Sequence, residues 1–166
     1  MNESNNIALY AFDLYGDNIL RTAYSYVGNM SEAEDITQDV FLKLHSAPQD
    51  FESDSHLKAW LMRVAINKCK NYKKSFRIKN RRDIGDVSES ILSYEVTPQN
   101  KTVLNAVKKL PSKYSTVIFL YYYEEYTIKE IAKLLDKNEN TISSLLQRGR
   151  KKLKFELERE GYCEQA

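Results

Sequence analysis

Apolar positions recur every three or four residues along nearly the whole chain, and no strand or hairpin signal interrupts them. Ile7, Ala11, Leu14, Leu20, Ala23, Tyr24 and Val27 mark a long first helix, with a bend expected near Gly16 and an end at Gly28-Asn29. Ser31-Glu32-Ala33-Glu34 has the form of a capping box, so a second helix is expected from Ser31. It buries Ala33, Ile36, Val40 and Leu44, shows Glu34, Asp35, Gln38 and Asp39 outward, and stops at Pro48. Residues 49–55 form a loop, polar except for Phe51. Ser55 is the expected cap of a third helix with Leu57, Trp60, Leu61, Val64, Ala65 and Ile66 as core. Trp60 stays open: its spacing suits a core position and its ring suits a wedge. Further on, Val103, Leu104, Val107 and Leu110 make a helix ended by Pro111. Ser112 then caps one with Val117, Ile118, Leu120 and Tyr121 inside.

Residues 127–154 hold two helices joined by a polar turn, Asp136-Lys137-Asn138-Glu139. Ile128, Ile131, Ala132, Leu134 and Leu135 form the first apolar face. Asn140 is the expected cap of the second, whose inner stripe is Ile142, Leu146, Gly149 and Leu153. Thr141, Ser143, Ser144, Gln147, Arg148 and Lys151 face away from that stripe. Hydroxyls, amides and an Arg suit base edges, and Arg148, Arg150, Lys151, Lys152 and Lys154 suit phosphates. The pattern fits a DNA-binding helix-turn-helix or an ordinary helical hairpin with a solvated basic face.

Net charge is only +2 over 166 residues, but charge is segregated along the chain. Residues 68–82 carry Lys68, Lys70, Lys73, Lys74, Arg77, Lys79, Arg81 and Arg82, no acid, and Asn67, Asn71, Tyr72 and Phe76 nearby. Cations mixed with amides and rings suit unpaired nucleic acid; the alternative is a solvated helix end. Residues 83–95 reverse the sign, with four acids and no base, and only a short helical piece around 90–94 is expected there. The acidic stretch could lie in a basic groove and imitate nucleic acid. The fold expected is all-α: two small helical domains, 1–76 and 101–166, joined by a flexible linker over 77–100.

No apolar run is long enough to span a bilayer, and residues 1–6 lack the order of a signal peptide. Cys69 and Cys163 match no metal or disulfide spacing, which suits reduced thiols in the cytoplasm. His45 and His56 are isolated, and the chain offers no nucleophile with a base and no glycine-rich phosphate loop. No enzymatic activity, metal or cofactor is expected. Asp35 and Asp39 face one way, as a solvated helix face, a docking face or, least in keeping with the absence of a further ligand nearby, a metal pair.

The order of parts resembles the extracytoplasmic-function (ECF) sigma factors, two-domain specificity subunits of bacterial RNA polymerase. Glu34-Asp35-Ile36-Thr37-Gln38-Asp39-Val40-Phe41-Leu42 looks like the family's polymerase-clamp helix. Residues 51–67, FESDSHLKAWLMRVAIN, look like its promoter-melting loop and helix, and residues 110–152 like its fourth region. The resemblance implies that Asp35, Gln38, Asp39 and Leu42 meet the clamp coiled coil of the polymerase's largest subunit. It implies that Phe51, Asp54, Ser55, Asn67, Lys70, Asn71 and Lys74 take the minus-ten element as single strand. A base costs a few kcal/mol to unstack and unpair, so that pocket must return the energy. Ser143, Ser144, Gln147 and Arg148 would read the minus-thirty-five element, with Thr141 and Lys151 on phosphates. The implied partners are core RNA polymerase, promoter DNA and an anti-sigma factor, often membrane-anchored. The turn lacks the Gly that many helix-turn-helix motifs use, Leu145 stands where many members have Arg, Gly149 where many have Ala, and Asn71 where many carry Asp. A stand-alone helix-turn-helix regulator on duplex operators is the alternative, but it has no need of the acidic helix or the basic, aromatic tract.

Overall fold

A computed structural model describes residues 3–46, 49–79, 98–159 and 161. They form seven helices and, among the described residues, no strand: α1 Glu3–Val27, α2 Met30–Ser46, α3 Asp54–Lys79, α4 Pro98–Lys109, α5 Ser112–Tyr122, α6 Ile128–Leu135 and α7 Glu139–Arg159. The chain divides into two compact units, Met1–Val87 and Ser88–Ala166. α3 continues to Lys79 and α4 begins at Pro98, so helix extends into both ends of the stretch expected as linker. Pro98 starts α4, where a missing N–H costs nothing. The helical piece expected around 90–94 and the Leu104 side chain lie outside the described residues.

In the first unit, α1 packs along both α2 and α3, which also meet each other. Ile19, Leu44, Leu61, Met62 and Ile66 are fully buried. Each contributes roughly 1.5–3 kcal/mol by leaving water. α1 runs through Gly16 as one helix and ends where Gly28 takes φ 71°, its N–H donating to the Tyr24 carbonyl at 2.9 Å. Leu14, expected in the core, is instead exposed, and Ile19 is the buried residue of that helix's middle.

In the second unit α5 is the central helix. Residues 114–120 are all buried, the polar Ser115 and Thr116 among them, so the helix is enclosed on every side rather than on one stripe. Tyr121, expected inside, is half-buried. α7 packs on α4, α5 and α6.

Three caps fall two residues before their expected places. Asn29, not Ser31, accepts the Glu32 N–H at 3.1 Å; Ser53, not Ser55, accepts that of His56 at 3.1 Å; Asn138, not Asn140, accepts that of Thr141 at 2.7 Å. α5 has Pro111 at its cap position and no side-chain cap bond, so Ser112 is its first residue and not its cap. α6 has a full capping box that the periodicity does not mark: Thr127 Oγ1 accepts the Glu130 N–H at 3.2 Å, and Glu130 Oε2 accepts the Thr127 N–H at 2.8 Å.

Candidate functional site

α2 presents Asp35, Gln38, Asp39 and Leu42 outward, while Ala33, Ile36, Thr37, Val40, Phe41 and Leu44 anchor it inside. Leu42 is 55% exposed, a large apolar surface for a side chain with nothing to cover it in its own fold. Asp35, Gln38 and Leu42 also line a groove of about 770 Å³ between α1 and α2, whose other wall carries Leu9, Phe12 and Leu20. Phe12 meets Phe41 edge-on at 5.2 Å. The groove has a sequence signal in hindsight: Leu9 and Phe12 sit three apart in α1, off the Ile7–Ala11 stripe. Asp39 turns toward α3 instead, where its Oδ2 is 3.8 Å from Lys68 Nζ. Among the described residues, no three His, Cys, Asp or Glu side chains stand together as a metal site.

A second candidate surface of this unit is the loop before α3. Phe51 is half-buried and meets His56 edge-on at 5.4 Å and Trp60 at 5.8 Å. The Glu52 N–H donates to His56 Nδ1 at 3.3 Å, which ties the loop to the first turn of α3. Trp60 is half-buried, so it is neither a fully packed core residue nor a free wedge; it forms a wall for Phe51. Asp54 and Ser55 are exposed. The Tyr10 hydroxyl donates to Asp54, 3.2 Å from Oδ1 and 3.0 Å from Oδ2, and the Tyr15 hydroxyl to the Asp54 carbonyl at 3.3 Å. The bond to Asp54 raises the Tyr10 pKa above its ordinary value, with burial adding to it; burial, then the Asp54 charge, raises that of Tyr15. Along α3, Asn67, Asn71 and Lys74 are exposed at intervals of four and three, and Lys70 beside them is half-buried. Cys69 faces the core, where burial pushes its thiol up to about 12. Periodicity gives no hint of Tyr10 or Tyr15, which act on a residue 44 and 39 positions away.

In the second unit, Asp136 makes the turn in the left-handed region, φ 54° and ψ 51°. The Lys137 N–H closes α6 on the Ala132 carbonyl at 2.9 Å, so an Asp does here what Gly does at many helix ends. α7 then buries Ile142, Leu146 and Gly149 and presents Ser143, Ser144, Gln147, Arg148 and Lys151 on one exposed face. Thr141 is half-buried at the rim of that face. A Cβ on Gly149 would stand 3.0 Å from Ile118 Cδ1, so the small residue lets α7 approach α5. Arg150 differs from its basic neighbours. Its Nε donates to Tyr122 Oη at 2.6 Å, and its guanidinium lies 5.6 Å from both the Tyr121 and Tyr122 ring centroids.

Each unit also matches a known family. The Sigma-70 region 2 family covers residues 11–77, and the Sigma-70, region 4 family covers residues 101–153. Over 161 residues the chain is 29% identical to the ECF RNA polymerase sigma factor SigW of Bacillus subtilis, spanning 87% of this chain and 86% of SigW. Over 144 residues it is 30% identical to the RNA polymerase sigma factor SigV of Bacillus subtilis, spanning 84% of each. The chain belongs to the ECF sigma factor family. Two solved structures share its fold, one of them a sigma factor. RpoE from Bartonella quintana, in complex with the anti-sigma factor NepR, gives a TM-score of 0.73 at 22% identity over 90% of this chain and 95% of that one. CnrH, in complex with the cytosolic domain of CnrY, gives 0.64 at 21% identity over 93% and 90%.

As a sigma factor, the protein serves RNA polymerase in transcription initiation. A stand-alone operator binder is not favoured, because the region 2 match spans the α2 face, the loop and most of α3. No helix of the described residues is long and apolar enough to cross a membrane.

Proposed function

We propose a division of the sigma factor's work among three surfaces. Asp35, Gln38, Asp39 and Leu42 on α2 dock on the clamp coiled coil of the polymerase's largest subunit. Phe51, Asp54 and Ser55 at the loop, with Asn67, Lys70, Asn71 and Lys74 on α3, hold the minus-ten element as a single strand. Ser143, Ser144, Gln147 and Arg148 on α7 read the minus-thirty-five element in the major groove, flanked by phosphate contacts from Thr141 and Lys151. The chain has no catalysis of its own and works in the cytoplasm, where polymerase and promoter are. The observation that supports this most is a loop whose one aromatic, Phe51, is half-buried and meets two other rings edge-on, in the same unit as the outward α2 face. Rings held so can take a flipped base by stacking, worth roughly 1–3 kcal/mol per base.

An anti-sigma factor belongs to the same proposal, because the solved relatives RpoE and CnrH each carry a partner protein. Its natural target is the exposed apolar and acidic α2 face, since covering Leu42 and Asp35 would deny that face to polymerase. Transcription with core RNA polymerase on a promoter library tests the whole scheme. Initiation at defined sites is expected with the wild-type chain and not with Asp35 and Asp39 both reversed to Lys; defined starts from the reversed chain would overturn the assignment of α2.

A further inference from the structure

The loop that carries Phe51 is held from outside itself. Asp54 follows the loop and opens α3, and both of its exposed ends are tied to α1. The single Tyr10 hydroxyl proton is shared across both carboxylate oxygens, at 3.2 and 3.0 Å, while the Tyr15 hydroxyl reaches the carbonyl of the same residue at 3.3 Å. Alone, an exposed Asp turns freely among rotamers. Two hydroxyls from one helix, one on the side chain and one on the backbone, remove that freedom. A carboxylate has about four acceptor sites, so one shared phenol proton leaves room for a base or a strand amide to donate as well.

We propose that Tyr10 and Tyr15 are positioning residues for the strand-binding loop: they set the carboxylate and backbone of Asp54, and with them the direction in which Phe51 and the start of α3 meet unpaired DNA. This rests on the proposed role of residues 51–55. Tyr10 is 47% exposed and Asp54 is exposed as well, so the pair adds little to the core, and a bond there serves the loop more than the fold. Tyr10 lies one position ahead of the segment that matches Sigma-70 region 2, whereas Tyr15 lies within it. Ordering a loop before its ligand arrives removes a cost from binding. One net hydrogen bond of this kind corresponds to about three- to tenfold in an equilibrium.

The test uses holoenzyme assembled from core polymerase and the full chain, on a promoter fragment that the wild-type holoenzyme selects from a random library. Permanganate reactivity of thymines reports the opened strand; retention of the closed duplex and capture of core polymerase report the other surfaces. Tyr10→Phe and Tyr15→Phe should each lower opening about three- to tenfold, with closed-duplex retention, polymerase capture and thermal unfolding as in wild type. Asp54→Ala should lower opening too, and adding Tyr10→Phe to it should cost nothing more, because the phenol acts only through that carboxylate. Opening at the wild-type level with Tyr10→Phe, or a double variant that falls by the product of the two singles, would overturn the proposal. Phe51→Ala separates the two levels. If Phe51→Ala opens DNA normally, the assignment of the loop falls and this inference with it. If Phe51→Ala fails and Tyr10→Phe does not, only the role of the tyrosines falls.

Discussion

Asp39 Oδ2 stands 3.8 Å from Lys68 Nζ, so a carboxylate on the proposed polymerase face is paired with a cation on the helix proposed to hold the opened strand. The pair links α2 to α3 at the surface, with Asp39 59% and Lys68 33% exposed. Such pairs contribute little stability, because water screens them and two side chains must be held still.

From this follows a contrast between stability and docking. Lys68→Ala should move the free energy of unfolding by less than about 1 kcal/mol in a urea titration. Asp39→Lys should lower capture of core RNA polymerase about tenfold or more, since like charges across an interface repel. The swap Asp39→Lys with Lys68→Asp rebuilds an ion pair, yet should not restore capture. Restored capture would show that Asp39 matters for its partner in the fold and not for polymerase.

Arg150 and Lys151 are adjacent in sequence and should behave in opposite ways. Lys151 is on the exposed face of α7 with Gln147 and Arg148, and Lys151→Ala should reduce the salt slope of duplex binding by about 0.9, with no loss of stability. Arg150 gives its Nε to Tyr122 Oη at 2.6 Å and lies against two rings. Arg150→Ala should therefore cost about 1 to 2 kcal/mol of unfolding free energy and change the salt slope little. Filter binding across a salt series, with urea unfolding of both variants, checks the pair.

That contrast shows where sequence stops being informative. The basic cluster 148–154 reads as one patch of cations, and nothing local separates Arg150, because its partner lies 28 residues earlier on α5. The helices themselves were legible, since burial enforces their period: Ala33, Ile36, Val40 and Leu44 are all inside as expected. The faces opposite them were legible for the same reason, which is how Asp35, Gln38, Asp39 and Leu42, or Ser143 to Lys151, come to share a side. Caps were legible in kind but not in place. Asn29 and Ser31, Ser53 and Ser55, and Asn138 and Asn140 offer equivalent acceptors; the path of the incoming chain chooses between them. At the start of α1 the pattern misleads at Leu14, which falls on the expected stripe and is exposed, as are Leu9 and Phe12 off that stripe. The hold of Tyr10 on Asp54 spans 44 residues and has no periodic signal at all.

Cys69 gives a prediction on pH. Burial pushes its thiol from 9.0 to about 12, with the Lys73 charge pulling it partly back. The folded value is the raised one, so the stability from keeping this thiol neutral is complete below about 9 and is lost as pH rises toward about 12. In a Cys163→Ser background, the native chain should resist iodoacetamide at pH near 8 and react once urea unfolds it. Four tyrosines, Tyr10, Tyr15, Tyr72 and Tyr123, are also raised, so the alkaline loss has several sources. Cys69→Ala isolates the thiol: its stability should fall less steeply between pH 9 and 12 than that of the parent. Prompt alkylation of the native chain would contradict the buried, protonated thiol.

Gly149 separates helix propensity from helix packing. Inside an exposed helix, Gly costs about 1 kcal/mol relative to Ala. Here a Cβ would lie 3.0 Å from Ile118 Cδ1, 3.4 Å from its Cγ1 and 3.4 Å from Tyr114 Cβ. The nearest atom is the free end of a side chain and can yield a few tenths of an ångström, so the gain and the crowding nearly cancel. Gly149→Ala should leave the unfolding free energy from a urea titration within about 1 kcal/mol of the parent. Gly149→Val adds two methyl groups where no room remains, and should destabilise by roughly 1–3 kcal/mol while pushing α7 off α5. Because α7 carries Ser143, Gln147 and Arg148, the Val variant should also bind minus-thirty-five duplex more weakly even at temperatures where it stays folded. A Val variant as stable and as tight on DNA as the parent would mean that α7 does not need the close approach at Gly149.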